Sequence, residues 1–594
     1  MDMTAAMPRA LEDLTARPLD GTVVRALGDS LVIRVAAARL RALGCVVETA
    51  GAAPPDAQAG WLGVVHAPFA AGGRALPECR IGWSGPVGVP MQGERDVQAA
   101  CGIMHVHGRA TGAPRVLPVD FASVCAGVLA VQAIAAGMLA VLRGGPPVRA
   151  ATSVAQATAL ALTQYVAVAA SDPGTGQCPP DPAERTPPEA AERTPPGIAE
   201  RTPPFRSADG VRFEIETFAA ENWLAFWTAL GAGRPEIVAG WRPFQQRFAT
   251  ATCTLPPALR AAAAARHYPA VRAAALAAGV SIVEVNEDAA CPLPAPASPW
   301  RARAIAPAGT DPAATVPGNG RTRRPAGGHA PLDCAPLGGV RVAEATNRIQ
   351  GPLAGHLLGR LGAEIVRLEP PGGDPMRGVP PLAGDCSARF LALNRGKDAI
   401  EADLKTRAGR ETALGLVASS DVFLQNWPPG RASQFGLDAD DLATVRPGLV
   451  YAHAGGWAEV HPEPQPMGTD YLVQAYTGVA ALLAEHGRPP APTLMTVIDV
   501  LGALISAEGA VAGLLARART GTGVRVETGL ADAARLLRDA HADQQVTETA
   551  PTAPVVSDLA AMAADPAYEA LFETHGQAAY SRSPWTFTPQ PSHP

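Results

Sequence analysis

Apolar and polar positions along the first fifty residues predict strand, helix, strand. Val23-Val24 is a short apolar pair. Residues 31–43 carry apolar positions at helical spacing, with Arg34, Arg39 and Arg41 between them. Val46-Val47-Glu48 follows the turn at Gly44. Trp61-Leu62-Gly63-Val64-Val65 predicts a third strand, so the chain opens as an α/β unit with a parallel sheet. Residues 124–142 are uncharged and long enough to invite a transmembrane reading. They are also Ala- and Gly-rich and contain Gln132, which favours a helix buried in protein. Another helical stretch follows near residues 154–170.

The pattern then breaks. Ala-Glu-Arg-Thr-Pro-Pro occurs at 183–188, 191–196 and 199–204. Paired prolines at this spacing prevent helix and favour extended chain, so residues 172–204 read as a linker. A motif for a proline-reading partner is the other reading. Residues 205–290 predict a small domain. Val211-Arg212-Phe213-Glu214-Ile215-Glu216 alternates as a strand, Trp223, Phe226, Trp227 and Leu230 make a helical stripe, residues 259–278 are Ala-rich and helical, and residues 280–285 form a closing strand. A Pro-, Gly- and Arg-rich linker covers 291–335. Residues 336–540 then give a second, fuller α/β unit, with strand 340–343, helix 353–361 ended by Gly362, and strand 363–369. Residues 541–594 form a tail. Late in the second unit one carboxylate interrupts an apolar run, Val497-Ile498-Asp499-Val500-Leu501.

Composition narrows the function. The length of 594 residues calls for two to four domains. A formal charge of −6 gives no electrostatic case for nucleic acid or an anionic membrane. Nine scattered cysteines without a Cys-x-x-Cys pair argue against zinc and suit a reducing cytosol. The first residues lack a signal-peptide design. A cytoplasmic protein with no metal is expected. No Gly-x-Gly-x-x-Gly is present, so the dinucleotide fingerprint is missing.

A series of short motifs carries a resemblance. Leu361-Gly362-Ala363-Glu364 leads to Glu369-Pro370-Pro371-Gly372-Gly373-Asp374. Then come Leu393-Asn394-Arg395-Gly396-Lys397, Asp403-Leu404-Lys405-Thr406 and Asn426-Trp427-Pro428-Pro429-Gly430. Gly468-Thr469-Asp470-Tyr471 with Gln474-Ala475-Tyr476-Thr477-Gly478, and Arg519-Thr520-Gly521-Thr522-Gly523, complete it. In this order they resemble the family III CoA-transferases, the L-carnitine dehydratase/bile-acid-inducible type. That family includes formyl-CoA:oxalate and carnitine CoA-transferases and α-methylacyl-CoA racemase. The resemblance implies Rossmann-like large domains with a small α+β domain, in an interlocked homodimer. It implies no permanent cofactor, with coenzyme A, acyl-CoA and a small carboxylic acid as substrates. Asp499 falls at the position of the catalytic carboxylate. Arg348, Ile349, Pro370, Asn394, Lys397, Asn426, Trp427 and Arg431 fall along the CoA cleft. Read without the resemblance, Asp499 is first of all a helix cap, and Arg348 and Lys397 are equally solvated charges. In the racemase branch a His precedes the Asp470 position; here it is Thr469, which argues against racemisation, since that chemistry needs a second acid/base. A decayed, CoA-binding scaffold is the alternative from another class.

The first half resembles a degenerate copy of the same domain. Residues 124–145 lie over 500–521, matching Gly137 to Gly513, Leu139 to Leu515 and Arg143 to Arg519, and Leu43-Gly44 falls on Leu361-Gly362. Ser123 then stands where the second copy has Asp499, with Asp120 three residues earlier. The expected chain is a tandem that imitates the family's dimer, with one working site; a homodimer of such chains is the other possibility.

Overall fold

The computed structural model describes residues 13–70, 75–171, 203–293, 299–305, 334–458, 460–461, 465–484, 487–542 and 550–590. The Ala-Glu-Arg-Thr-Pro-Pro repeats lie outside them, except for Pro203 and Pro204.

Two helices form the centre. Phe121–Leu142 (α1) and Val497–Thr520 (α2) pack on each other and are enclosed along nearly their whole length. By length and composition alone both would suit a membrane span. Here their apolar faces are covered by protein on every side. Small residues permit the approach: a Cβ on Gly127 would meet the Val32 carbonyl oxygen at 2.9 Å, so the Leu31–Ala42 helix lies directly on α1. Two polar contacts join the halves inside this layer. Gln132 Nε2 donates to Leu504 O at 2.7 Å, and Arg39 Nε donates to Glu508 at 2.6 Å with both side chains buried.

The sheets flank this pair. In the second half six parallel strands (Arg341–Ala345, Glu364–Glu369, Asp398–Glu401, Val422–Gln425, Val450–Gly455 and Gly523–Gly529) stand in the order 3-2-1-4-5-6. The order reverses between Arg341–Ala345 and Val422–Gln425, and open α/β sheets bind ligands at the carboxyl ends beside such a reversal. The first half holds Val23–Leu27, Val46–Thr49, Gly60–His66, Glu78–Gly82 and Val148–Ser153. This sheet is mixed rather than parallel: Gly60–His66 runs antiparallel to both of its neighbours. The connections into and out of that strand are too short for the crossover that a parallel strand requires.

Each sheet takes its last strand from the segment that follows the other half's frame. Arg301–Ile305 pairs antiparallel with Gly523–Gly529, and Thr586–Pro589 pairs antiparallel with Val148–Ser153. The first lies in the stretch read from sequence as linker 291–335, and the second in the tail 541–594. Two further differences are local. The helical stretch 154–170 bends by 59° between Val154–Ala161 and Thr163–Ser171. Residues 259–278 divide into Pro257–Ala264 and Tyr268–Ala278, and Arg234–Thr250 is a further helix of the small domain. The paired Leu-Gly turns match: Gly44 and Gly362 take φ of 101° and 107°, and a Cβ on either would strike neighbouring atoms at 2.7 and 2.4 Å.

The Arg39–Glu508 pair supports a stability prediction. Among the described residues Arg39 Nη2 and Glu508 Oε1 have no hydrogen-bond partner, so the pair is incompletely satisfied. Removing one side leaves a buried charge, and Glu508→Ala is expected to cost roughly 3–5 kcal/mol. The double change Arg39→Met with Glu508→Leu is expected to recover most of that loss. Denaturant titration of the three variants checks both; a double variant as unstable as the single one contradicts the argument.

Candidate active site

Asp499 is the third residue of α2 and does not cap it. The first-turn amides are taken by Asp470, whose Oδ2 accepts from Ile498 N and Asp499 N, both at 2.7 Å. Asp470 Oδ1 accepts from the Gln474 side-chain amide. Gln474 is itself fixed, accepting from Thr493 N at 2.9 Å and donating to Thr493 O at 3.2 Å. Capping is therefore Asp470's work. The Asp499 carboxyl has no hydrogen-bond partner among the described residues, and its residue stays partly open to solvent.

The charges around it oppose one another. Burial, then the Asp470 carboxyl, push the Asp499 pKa well above the usual carboxylate range; Arg348 and Arg389 pull it back. Burial raises Asp470 to about 7. Asp499 is thus a carboxyl whose ionisation burial and Asp470 oppose more strongly than the two guanidiniums favour it.

The first half reaches this point directly. Tyr165 Oη accepts from Thr496 N at 3.1 Å, and Gln164 Nε2 donates to Thr496 Oγ1 at 2.8 Å. Gln164 Oε1 accepts from Arg389 Nε and Nη2 at 3.2 and 3.1 Å. The small domain, with its sheet of Phe205–Arg206, Arg212–Glu216 and Ser281–Glu284, lies against the Asp470–Tyr476 helix. Asn286 N donates to Ala475 O at 2.8 Å, and Phe248 stacks on Tyr471 with centroids 4.5 Å apart. Arg348 covers the Phe218 ring at 3.1 Å, and Glu216 adds to the negative field at Asp499. Residues 205–290 are therefore beside Asp499.

The other expected site residues divide. Arg348-Ile349, Pro370 and Asn426-Trp427 follow three adjacent strands at their carboxyl ends. Asn426 fixes the first of these loops, accepting from Asn347 N at 3.0 Å and donating to Asn347 O at 2.9 Å. Arg348 has a φ of 67°, a strained conformation for a residue with a Cβ. Ile349 is buried at the start of the Gln350–Arg360 helix. Asn394 and Lys397 turn inward. Asn394 Oδ1 accepts from Arg367 at 2.7 Å and Lys397 at 3.0 Å. Lys397 Nζ lies 2.9 Å from Glu344 and donates to Pro352 O at 2.6 Å, and burial lowers its pKa to about 8. Arg431 opens an exposed helix and sits over Phe435. Arg348 and Asn394 share the wall of a small open cleft with Asp374, Met376, Arg389, Phe390 and Leu393; Pro370, Lys397, Asn426, Trp427 and Arg431 are outside that wall. Among the described residues no group of three or more His, Cys, Asp or Glu is placed to hold a metal.

Arg389 was not legible from spacing. Neither were Gln164 and Tyr165, which come from the other half. A repeated signal was present at the cap. Glu94 accepts from Ala122 N at 3.1 Å and Ser123 N at 2.8 Å, across 28 and 29 residues; Asp470 spans the same 28 and 29 to Ile498 and Asp499. Gln98 bonds Leu117 N across 19 residues, as Gln474 bonds Thr493 N. Val97-Gln98-Ala99 repeats as Val473-Gln474-Ala475. In the first half Ser123 Oγ donates to Glu94 at 2.6 Å, and Ser123 is buried.

Comparison with known proteins gives one consistent result. The sequence model described as CoA-transferase family III matches residues 93–319 and 337–572. The mouse (Mus musculus) succinyl-CoA:glutarate CoA-transferase is 33% identical over 208 residues, which are 34% of this chain and 48% of that protein. The acetyl-CoA:oxalate CoA-transferase of Acetobacter aceti is 33% identical over 199 residues, 33% of this chain and 51% of the other. The chain thus spans about half the length of the curated relatives it matches. A CAIB/BAIF family protein from Brucella suis, solved by crystallography, is 33% identical, with a TM-score of 0.33, over 34% of this chain and 55% of that one.

Proposed function

Because the chain belongs to CoA-transferase family III, we propose that it moves CoA from an acyl-CoA donor to a carboxylic acid, with Asp499 as nucleophile. The observation that carries this reading is the unengaged Asp499 carboxyl, facing two guanidiniums while Asp470 does the capping. In the proposed course an Asp499 oxygen attacks the donor thioester carbonyl. A C–O bond forms, the C–S bond breaks, and CoA leaves as thiolate from a mixed anhydride. The thiolate attacks the Asp499 carbonyl carbon; the C–O bond to the donor breaks, releasing its carboxylate and leaving an aspartyl-CoA thioester. The acceptor carboxylate repeats both steps in reverse, so charge balances without a proton donor. The buried apolar side chains of Val497, Ile498 and Val500 limit the approach of the water that would hydrolyse these intermediates.

The same proposal reads the chain as two Rossmann-like halves in tandem that imitate a dimer, in the cytoplasm. The identical cap spacings at Glu94 and Asp470 support it, as do the strands Arg301–Ile305 and Thr586–Pro589, each added to the other half's sheet. On this reading the first half has exchanged its nucleophile for Ser123 and serves the second half's site through Gln164, Tyr165 and the small domain. The transfer is tested by pairing a panel of acyl-CoA donors with free acids and following new thioesters. Exchange establishes the transferase. CoA binding without exchange across the panel makes the protein a scaffold, and entry of solvent deuterium beside the thioester makes it an isomerase.

A further inference from the structure

Gln164, a buried residue of the first half, touches two parts of the candidate site at once. Its Nε2 donates to Thr496 Oγ1 at 2.8 Å, and Thr496 is the residue on which α2 starts, three before Asp499. Gln164 Oε1 accepts from both Nε and Nη2 of Arg389, at 3.2 and 3.1 Å. One neutral side chain thus ties a guanidinium to the start of the nucleophile's helix. Tyr165 fixes the same point, accepting from Thr496 N at 3.1 Å.

The neutral acceptor has a consequence for charge. Arg389 is 6% exposed and has no ion pair among the described residues. Arginine is charged at every working pH, and a buried charge is ordinarily paired. A glutamate in place of Gln164 would have the same shape and would pair Arg389 through a two-bond fork. With glutamine there, the ionisable groups that favour the Arg389 charge are Tyr165, Tyr471 and Asp499. Burial keeps both phenols neutral, so Asp499 is the carboxylate that answers Arg389. The other charges acting on Asp499 are Asp470, Glu216 and Arg348. Asp470 and Glu216 oppose its ionisation, and Glu216 is committed to Arg247 at 3.0 Å. Arg348 lies over the Phe218 ring and is exposed. Arg389 is therefore the buried positive charge at this carboxyl.

We propose that Gln164 is a positioning residue of the transfer: by holding Arg389 through a neutral oxygen, it leaves the guanidinium's charge to Asp499. The inference rests on Asp499 as nucleophile and deepens that reading, since it names the first-half side chain on which the nucleophile depends. Gln164 and Arg389 both act through Asp499, and neither gives up or takes a proton. A positive charge nearby favours the ionised carboxyl, and pairing Arg389 with a second carboxylate cancels it.

Gln164→Glu is the test. The variant's carboxylate pairs with Arg389, and the Thr496 hydroxyl turns from acceptor to donor, so both contacts survive. Its denaturant midpoint is expected to be no lower than the wild type's. The acid limb of kcat is expected to move up by about one pH unit or more, a roughly tenfold slower rate at any pH below it, with KM for acyl-CoA little changed. Arg389→Gln removes the same charge by another route and is expected to move the limb in the same direction, so one variant that folds is enough. A water-soluble carbodiimide, which labels protonated carboxyls, reads Asp499 without turnover. Its labelling, followed by peptide mass spectrometry, is expected to persist to higher pH in both variants. An unmoved limb with unmoved labelling overturns the proposal and makes Gln164 a packing contact between the halves. A rate lowered equally at every pH also overturns it, assigning Gln164 to the geometry of α2 alone. If the wild type moves no CoA, the function proposed above fails, while the labelling still decides what Gln164 and Arg389 do to Asp499.

Discussion

Asp499→Asn is expected to abolish CoA transfer, lowering kcat by roughly 10⁴-fold or more while leaving acyl-CoA binding nearly intact. The amide keeps the shape of the side chain. No bond is lost to a partner, because the carboxyl has none among the described residues, and the cap through Asp470 involves only the residue's N–H. Folding is therefore expected to survive, and the loss is one of nucleophilicity. In the wild type, incubation with acyl-CoA followed by peptide mass spectrometry is expected to find CoA on the peptide holding Asp499. An Asp499→Asn protein that still transfers CoA at even a hundredth of the wild-type rate would remove Asp499 from the chemistry.

A second large effect is expected from pH. Asp499 must be ionised to attack, and burial with the Asp470 charge holds its pKa above the ordinary carboxylate range. The rate should therefore rise with pH along a limb well above the usual carboxylate value of about 4. Asp470→Asn removes a neighbouring negative charge, so its limb is expected to move to lower pH. At neutral pH this gain competes with a weaker cap, since the asparagine amide must face either Gln474 or the Ile498 and Asp499 amides. Stability carries the opposite sign. Asp470 holds a proton in the folded protein up to about pH 7, whereas an unfolded aspartate loses it near 4. Between those values the folded state binds more protons, so this group's contribution to stability falls as pH rises. Asp470→Asn should flatten that part of the stability curve. Rate profiles and denaturant midpoints across pH 4–9 check both; an unmoved limb would show that Asp470 does not set Asp499's charge.

Local pattern found most of the frame because the signals are local. Leu43-Gly44 and Leu361-Gly362 end helices where only a glycine fits the left-handed turn, and the alternation at 211–216 is a strand within the small domain. The order of motifs from Leu361 to Gly523 led to the family and to Asp499. What pattern could not give is what depends on distant partners. Lys397 reads as an exposed phosphate ligand until Glu344 and the Pro352 carbonyl are seen to hold it. Arg389 carries no spacing signal, because its meaning lies in Gln164, 225 residues away. Arg301–Ile305 sits in a segment rich in Pro, Gly and Arg, and it becomes a strand only because Gly523–Gly529 offers an edge. Glu94 was readable in principle. Its Val-Gln-Ala neighbours recur at Asp470, but a buried acid before an Ala-rich helix attracts no attention until its two amide bonds are measured.

The strand exchanged into the first sheet sets a timetable for synthesis. Thr588 bonds Arg149 across 439 residues of sequence. At roughly 5–20 residues per second the nascent first half waits on the order of 20–90 s for that strand to leave the ribosome. Throughout that interval the Val148–Ser153 edge is an open template for any passing chain, and for most of it α1 has no α2 to cover it. A chain that closes its first sheet with its last strand thus meets a delay before that sheet is complete, and the cell must shield the first half for its length.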